Sequence, residues 1–284
     1  RAVATNTFRV ARNSGKFLRR AGEVLGFPID VIAGHEEARL IYIGVAHVLP
    51  PGDAPRLVVD IGGGSTELIV GRGMAPERLE SLKLGCVTMS ARFFPDGTLS
   101  KQAFEAAETH AQVEVEAIAR EFSRRHWKEA YASSGTALAL ADILEQNELS
   151  VAGITPDGLA KLRRRMIDAG HVKRLKLAGL KAERAPVLGG RFAVMAAAIW
   201  MVRAEPTRRS NAPPTRLAAA MASARIPNAN PPWASDSPNS SAVVGNTGDS
   251  TCSPTVTARY ARQTRAKAPH RGRSVASGPA AGAL

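Results

Sequence analysis

The chain has 284 residues, a net charge of +13, 44% hydrophobic and 5% aromatic residues, and two cysteines. That apolar share can bury a core, and Cys86 and Cys252 offer neither disulfide nor zinc spacing, so a stapled scaffold and a zinc ribbon are excluded. A reducing, cytoplasmic setting is expected, with a membrane-peripheral one as the alternative, and no run of about 18 apolar residues suggests a spanning segment.

The charge is unevenly distributed. Residues 201–284 hold eleven basic and three acidic side chains, +8 of the +13, together with 10 of the 18 prolines. Only 8 of these 84 residues are Leu, Ile, Val or Phe. That is too little to bury a core, so a disordered basic tail is expected. Residues 1–200 suffice for one or two α/β units.

In chain order, Thr5, Asn6 and Arg9 lie at a strand-to-helix turn. Asn13 or Ser14 caps a helix with Phe17, Leu18, Ala21, Val24 and Leu25 on one face. Phe27–Ile32 reads as a short strand, Glu36–Val48 as a helix, and Arg56–Val70 as a hairpin extended by Arg78–Leu84. A helix is expected from Lys101 to about Arg125, with Phe104, Ala107, Ala111, Val115, Ile118 and Phe122 on one side. Ala130–Ala132 is a brief strand leading through Ser133-Ser-Gly-Thr136 into a helix that ends near Asn147. Thr155-Pro156 opens the next helix with a cap and a first-position proline. Strands alternating with helices make this an α/β chain.

The hairpin Leu57-Val-Val-Asp-Ile-Gly-Gly-Gly-Ser-Thr-Glu-Leu-Ile-Val70 carries the chemistry. Successive glycines let the backbone present a concave run of N–H donors to an anion. Asp60 and Glu67 flank it with hard oxygen donors suited to a divalent cation. A plain hairpin turn needs neither three glycines nor an acid on each side. A P-loop would need a Gly-Lys-Ser/Thr ending, and a dinucleotide loop a following helix, whereas Leu68, Ile69 and Val70 continue as strand.

This strand–turn–strand loop resembles the second phosphate loop of the actin, sugar-kinase and Hsp70 superfamily. Four further stretches narrow the resemblance: Arg1-Ala-Val-Ala-Thr-Asn-Thr-Phe-Arg9, Ile32-Ala-Gly-His-Glu-Glu-Ala-Arg-Leu40, Gly85-Cys-Val-Thr88 and Ser133-Ser-Gly-Thr136. On these, residues 1–200 are identified as similar to the exopolyphosphatase and guanosine pentaphosphate phosphatase family. The resemblance implies an α/β, actin-like (ribonuclease H-like) fold, incomplete because family members carry a first phosphate loop upstream. Residues 1–50 would be a remnant of the first actin-like domain and 51–200 the second, with the phosphate loop. Residues 201–284 lack the family's Ser-Asp-Gly-Ala-Leu-Arg-Glu-Gly segment, and an out-of-frame origin is the favoured reading of the tail.

The resemblance also implies roles. Glu37 would be the general base that activates water, although two acids in a helix's first turn are otherwise explained by the dipole alone. Glu36 would support it, with Arg39 as an orienting or phosphate-touching group. Asp60 and Glu67 would lie near Mg²⁺, and Gly62, Gly63, Gly64 and Ser65 would bind phosphate. Thr5, Asn6 and Arg9 would approach the same cleft, with an ordinary helix cap as the equal alternative. Ser133–Thr136 resembles the superfamily's third, nucleotide-side loop or is a helix cap. The basic cluster Arg163-Arg-Arg165, Lys173, Arg174 and Lys176 reads as a solvated face before it reads as a guide for a polyanion. Around Arg184–Gly190 the family usually has an aspartate where this chain has Pro186. The implied activity is release of terminal orthophosphate from inorganic polyphosphate. Hydrolysis of guanosine pentaphosphate at its 5′ terminal phosphate, or an inactive phosphate-binding fragment, are the alternatives. A homodimer without a specific nucleic-acid partner is the implied assembly.

Overall fold

The computed structural model describes residues 1–203 and a short antiparallel pair, Val244–Gly245 with Thr257–Ala258. The expected tail therefore lies outside the described residues, except for those four and for Met201–Arg203, which close the last helix instead of beginning the tail.

Two layers of helix enclose one sheet. Strands β3 (Arg56–Ile61), β4 (Thr66–Arg72), β5 (Ala75–Leu82) and β6 (Glu129–Ser133) stand in the order β5-β4-β3-β6. The β3–β4 and β4–β5 pairs are antiparallel hairpins, and β3–β6 is parallel, as its long helical crossover requires. Side chains alternate between the faces of a strand, so the two faces separate cleanly. Leu57, Val59, Ile61, Leu68 and Val70 join a large core, whereas Val58, Ile69 and Tyr131 face the other way.

The second face is covered by α3 (Gly34–Val48), which buries Ala38, Tyr42, Val45 and Ala46 against it. The longest helix of residues 1–50 thus packs on the sheet formed within residues 51–200. Tyr42 fits because Gly71, at the β4–β5 irregularity, has no side chain; a Cβ there would meet the Tyr42 ring. Ahead of α3, β1 (Ala2–Ala4) pairs in parallel with β2 (Ile29–Val31), connected by α1 (Asn6–Val10) and α2 (Ser14–Leu25).

The large core is packed by α4 (Cys86–Phe93), α5 (Lys101–Glu116), α6 (Ser134–Gln146), α7 (Pro156–Ala169) and α8 (Leu188–Arg203). Helix α5 stops at Glu116 rather than near Arg125, yet the expected apolar side is correct: Phe104, Ala107, Ala111 and Val115 are buried. Beyond it, Phe122 and Trp127 are buried on non-helical backbone, with Trp127 Nε1 donating to the Phe122 carbonyl at 2.8 Å.

Helix α8 is the correction to the sequence reading. It runs through the centre of the core, and eleven of its sixteen residues are buried. A helix buried all round shows no amphipathic period, so periodicity cannot find it. With the preceding 3₁₀ turn at Ala182–Val187, which contains Pro186, it is also long and apolar enough by composition to cross a membrane, although charged residues such as Arg191 interrupt it and no unbroken run of about 18 apolar residues occurs. Its burial here is that of a core helix. Gly190 permits its close approach to α4, where its N–H donates to Ser90 Oγ at 3.0 Å.

Candidate functional site

The glycine loop, residues 62–65, closes the β3–β4 hairpin and is held by its carbonyls. Gly62 N–H donates to the Ser65 carbonyl at 2.9 Å. The first turn of α4 donates to the loop: Cys86 N–H to Gly62 O at 2.9 Å and Val87 N–H to Gly63 O at 2.8 Å. Among the described residues, the N–H groups of Gly63, Gly64 and Ser65 take no protein acceptor. The loop is therefore fixed by its acceptors and by the Gly62 N–H, while the N–H groups of Gly63, Gly64 and Ser65 stay free, as an anion-binding nest requires. Gly85 makes the docking possible, since a Cβ on it would run into the backbone of Gly63 and Gly64.

Beneath the loop, Ser133-Ser-Gly-Thr136 acts as a clamp. Ser134 Oγ and Thr136 Oγ1 both donate to the Ile61 carbonyl, at 3.0 and 2.9 Å. Ser133 donates to Asp60 Oδ2 and gives α6 no side-chain cap, whereas Ser134 Oγ accepts from the Thr136 N–H at 3.2 Å in the first turn of the helix. Ser134 has φ +91°, a conformation that costs a non-glycine residue about 1–3 kcal/mol.

Asp60 and Glu67 are directly opposite each other across β3 and β4. Burial pushes the Asp60 carboxyl up, the Ser133 hydroxyl pulls it back down, and the nearby Glu37 charge adds to the rise. Glu67 is pushed up to about 7, again chiefly by burial, with the Ser81 hydroxyl opposing and the Glu37 charge reinforcing. Three carboxylates, Asp60, Glu67 and Glu37, thus share one neighbourhood.

Glu37 is in the first turn of α3, which has no side-chain cap. Arg9 Nη1 donates to Glu37 Oε2 at 2.9 Å and also to the Ile32 carbonyl at 2.9 Å. Of the expected cleft residues from the first segment, Arg9 therefore meets Glu37. Asn6 meets the loop: its side-chain amide occupies the space where a Cβ on Gly64 would be. Thr5 precedes α1, and its side chain makes no capping hydrogen bond. With five residues, α1 is too short to supply a helix dipole worth invoking. Arg39 is paired elsewhere, donating to both Glu36 oxygens at 2.7 Å on the exposed side of α3. Those bonds hold the Glu36 carboxyl below the ordinary range. In the basic cluster, Arg163 is bound to Glu108 at 2.6 Å and lies over the Phe104 ring, which makes it a packing residue.

Among the described residues, no cluster of three or more His, Cys, Asp or Glu side chains forms a metal cage. Magnesium does not need one. It is commonly held by one or two carboxylates plus substrate phosphates and water, and the Asp60–Glu67 pair beside an open N–H loop fits that mode.

Sequence reasoning passed over Ser81, Gly34 and Gly85 as individual residues, and gave Ser133 a different role. Extending the β3–β4 register to the flanking strands would have found Ser81 and Ser133, since both are in line with the two acids.

Solved structures share this arrangement of elements. An Aquifex aeolicus Ppx/GppA enzyme superposes with a TM-score of 0.56 at 23% identity, over 71% of this chain and 68% of that one. An exopolyphosphatase from Cytophaga hutchinsonii gives 0.60 at 22% identity, over 71% of this chain and 67% of that one. These likenesses establish the actin-like ATPase fold expected from the sequence. A family model, that of the Ppx/GppA phosphatases, matches residues 1–212 of the 284. The chain belongs to the Ppx/GppA phosphatase family.

Proposed function

We propose that this chain hydrolyses a terminal phosphoanhydride, releasing orthophosphate from inorganic polyphosphate, with Glu37 as general base. The observation that carries this reading is the convergence of Glu37 on Asp60 and Glu67 beside a loop whose N–H groups are free. Phosphoryl transfer asks for little covalent help from protein; charge neutralisation and alignment supply most of the acceleration. Gly63, Gly64 and Ser65 would hold the terminal phosphate through their N–H groups, with Asn6 above Gly64 as a further donor. Arg9 fixes Glu37 Oε2, which leaves Oε1 to take the proton from water as its oxygen attacks the terminal phosphorus. The bridging P–O bond breaks, and the shortened chain leaves with the bridging oxygen. Mg²⁺ held by Asp60 and Glu67 would neutralise charge on the phosphate oxygens.

The test is phosphate release from long-chain polyphosphate by the purified chain and by its Glu37→Gln variant. A loss of about 10²- to 10⁴-fold is expected for a missing general base. Release no greater than that of the variant overturns the reading for this chain. Guanosine pentaphosphate, added as competitor and as substrate, separates the two family activities: preferential cleavage of the nucleotide replaces polyphosphate as the substrate and leaves the roles of the residues intact.

A further inference from the structure

The β-ladders place four polar residues in one row across the sheet. Asp60 is opposite Glu67 on β4 and opposite Ser133 on β6, and Glu67 is opposite Ser81 on β5. The row therefore reads Ser81–Glu67–Asp60–Ser133. Alternation puts all four on the face that carries Val58, Ile69, Leu79 and Tyr131, the one covered by α3. The first turn of α3 reaches this row, because Gly34 packs on Ser81 so closely that a Cβ there would overlap the serine side chain. Each serine donates to one oxygen of the acid beside it: Ser81 Oγ to Glu67 Oε1 at 2.8 Å, and Ser133 Oγ to Asp60 Oδ2.

We propose that Ser81 and Ser133 are positioning residues for a divalent cation, gripping the Glu67 and Asp60 carboxylates from outside so that the pair is presented to one ion. This rests on the metal role proposed above for the two acids. The chemistry is that of a support around a coordination site. A carboxylate with one oxygen fixed by a hydroxyl cannot rotate freely, and a ligand that need not be ordered on binding holds its ion more tightly. Each serine comes from the strand next to the acid it holds, and the Ser65 hydroxyl of the loop adds a second hold on Glu67. Ser81 has a second connection. Through its contact with Gly34 it ties the acid row to the helix turn that bears Glu37.

The test is direct titration with Mn²⁺ alone, read by the paramagnetic resonance of the free ion, on the parent chain, Ser81→Ala, Ser133→Ala and Ser133→Thr. Circular dichroism establishes the folded fraction of each. Removal of a residue that supports a metal ligand typically weakens affinity by about 10- to 100-fold, and a loss of at least tenfold is expected in each alanine variant. Ser133→Thr retains the hydroxyl on extended backbone that a threonine adopts readily, and is expected to restore binding to within about threefold of the parent. A merely structural role would lower the melting temperature without altering Mn²⁺ affinity at full folding. If Ser133→Ala does not fold, Ser81→Ala and Ser133→Thr decide the matter. Mn²⁺ affinity unchanged in the folded serine variants, while Asp60→Asn and Glu67→Gln abolish binding, overturns the proposal and leaves the metal role of the acids standing. No binding by the parent, or none lost in Asp60→Asn and Glu67→Gln, overturns both.

Discussion

Residues 1–33 and the body that follows them are built differently, and the candidate site draws on both. Helix α2 buries no residue, leaving Phe17 58% and Val24 82% exposed, whereas α5 and α8 bury entire faces or more. Asp60, Glu67 and the glycine loop therefore stand on a packed core. Asn6 and Arg9 stand on a strip held by a two-strand ladder, by the Phe8–Phe17 ring contact at 5.3 Å and by Arg9's own hydrogen bonds. Local stability follows buried apolar contact. The half of the candidate site proposed to hold metal and phosphate is thus preorganised by packing, and the half that steadies Glu37 depends on a few polar contacts.

The comparison breaks most easily on the aromatic residues. Phe104 is fully buried and stacks edge-on with Phe192 at 5.4 Å. Phe104→Ala is expected to destabilise the chain by about 3–5 kcal/mol in urea unfolding. Phe17→Ala, on the exposed side of α2, is expected to cost less than about 1 kcal/mol. Equal costs would mean that the leading strip is as tightly folded as the body.

Next in size is a pH effect confined to the body. Glu67 is raised from 4.5 to about 7 in the folded chain, so between these values the folded state binds more protons than the unfolded one. Stability without metal must then fall as pH rises through that window, by on the order of 3 kcal/mol, and remain low above it. Glu67→Gln is expected to flatten the profile of melting temperature against pH between about 4.5 and 7. Added Mg²⁺ should flatten it too, by favouring the ionised carboxylate. A slope that survives Glu67→Gln unchanged would remove Glu67 as its source.

Glycines sharpen the contrast further. Gly85→Ala drives a methyl into the Gly63–Gly64 backbone, and overpacking of this kind costs about 1–3 kcal/mol. Loss of phosphate affinity should accompany it, because the loop's N–H groups are displaced. In the leading strip, Gly15 is in a helix with open space at its Cβ, so Gly15→Ala is expected to stabilise by about 0.5–1 kcal/mol. Thermal melts of the two variants in opposite directions are the expected result.

The sequence announces the parts of this molecule that have a local period or a local turn. The hairpin, its glycine loop, α7 with its Thr155 cap and the apolar side of α5 are all of that kind; Thr155 Oγ1 accepts from Gly158 N–H at 3.0 Å as expected. Helix α8 was hidden because an apolar residue on every side leaves no pattern to detect. The packing of α3 on the sheet was not legible either, since its partners Val58, Ile69 and Tyr131 are distant in sequence. In the site, the resemblance pointed to Glu37, Asp60 and Glu67, and the structure gathers all three. Their supports were not legible, because Ser81 and Ser133 become neighbours of the acids only once strand register is set.

The smallest effect tests the two arginines around the adjacent glutamates. Arg9 crosses from α1 to Glu37, with the two side chains 22% and 16% exposed, whereas Arg39 and Glu36 pair in solvent on one helix face. A guanidinium bound at once to a carboxylate and to a main-chain carbonyl fixes orientation in a way that an ammonium cannot. Arg9→Lys is therefore expected to keep the chain folded and lower kcat about tenfold, since misplacing a base by a fraction of an ångström weakens proton transfer. KM for polyphosphate should change less than kcat if Arg9 acts through Glu37, and more than kcat if it grips phosphate directly. Arg39→Ala should leave both constants at the parent values, because screened surface pairs contribute little. A loss in Arg39→Ala equal to that in Arg9→Lys would shift the steadying of the base from the leading strip to α3 itself.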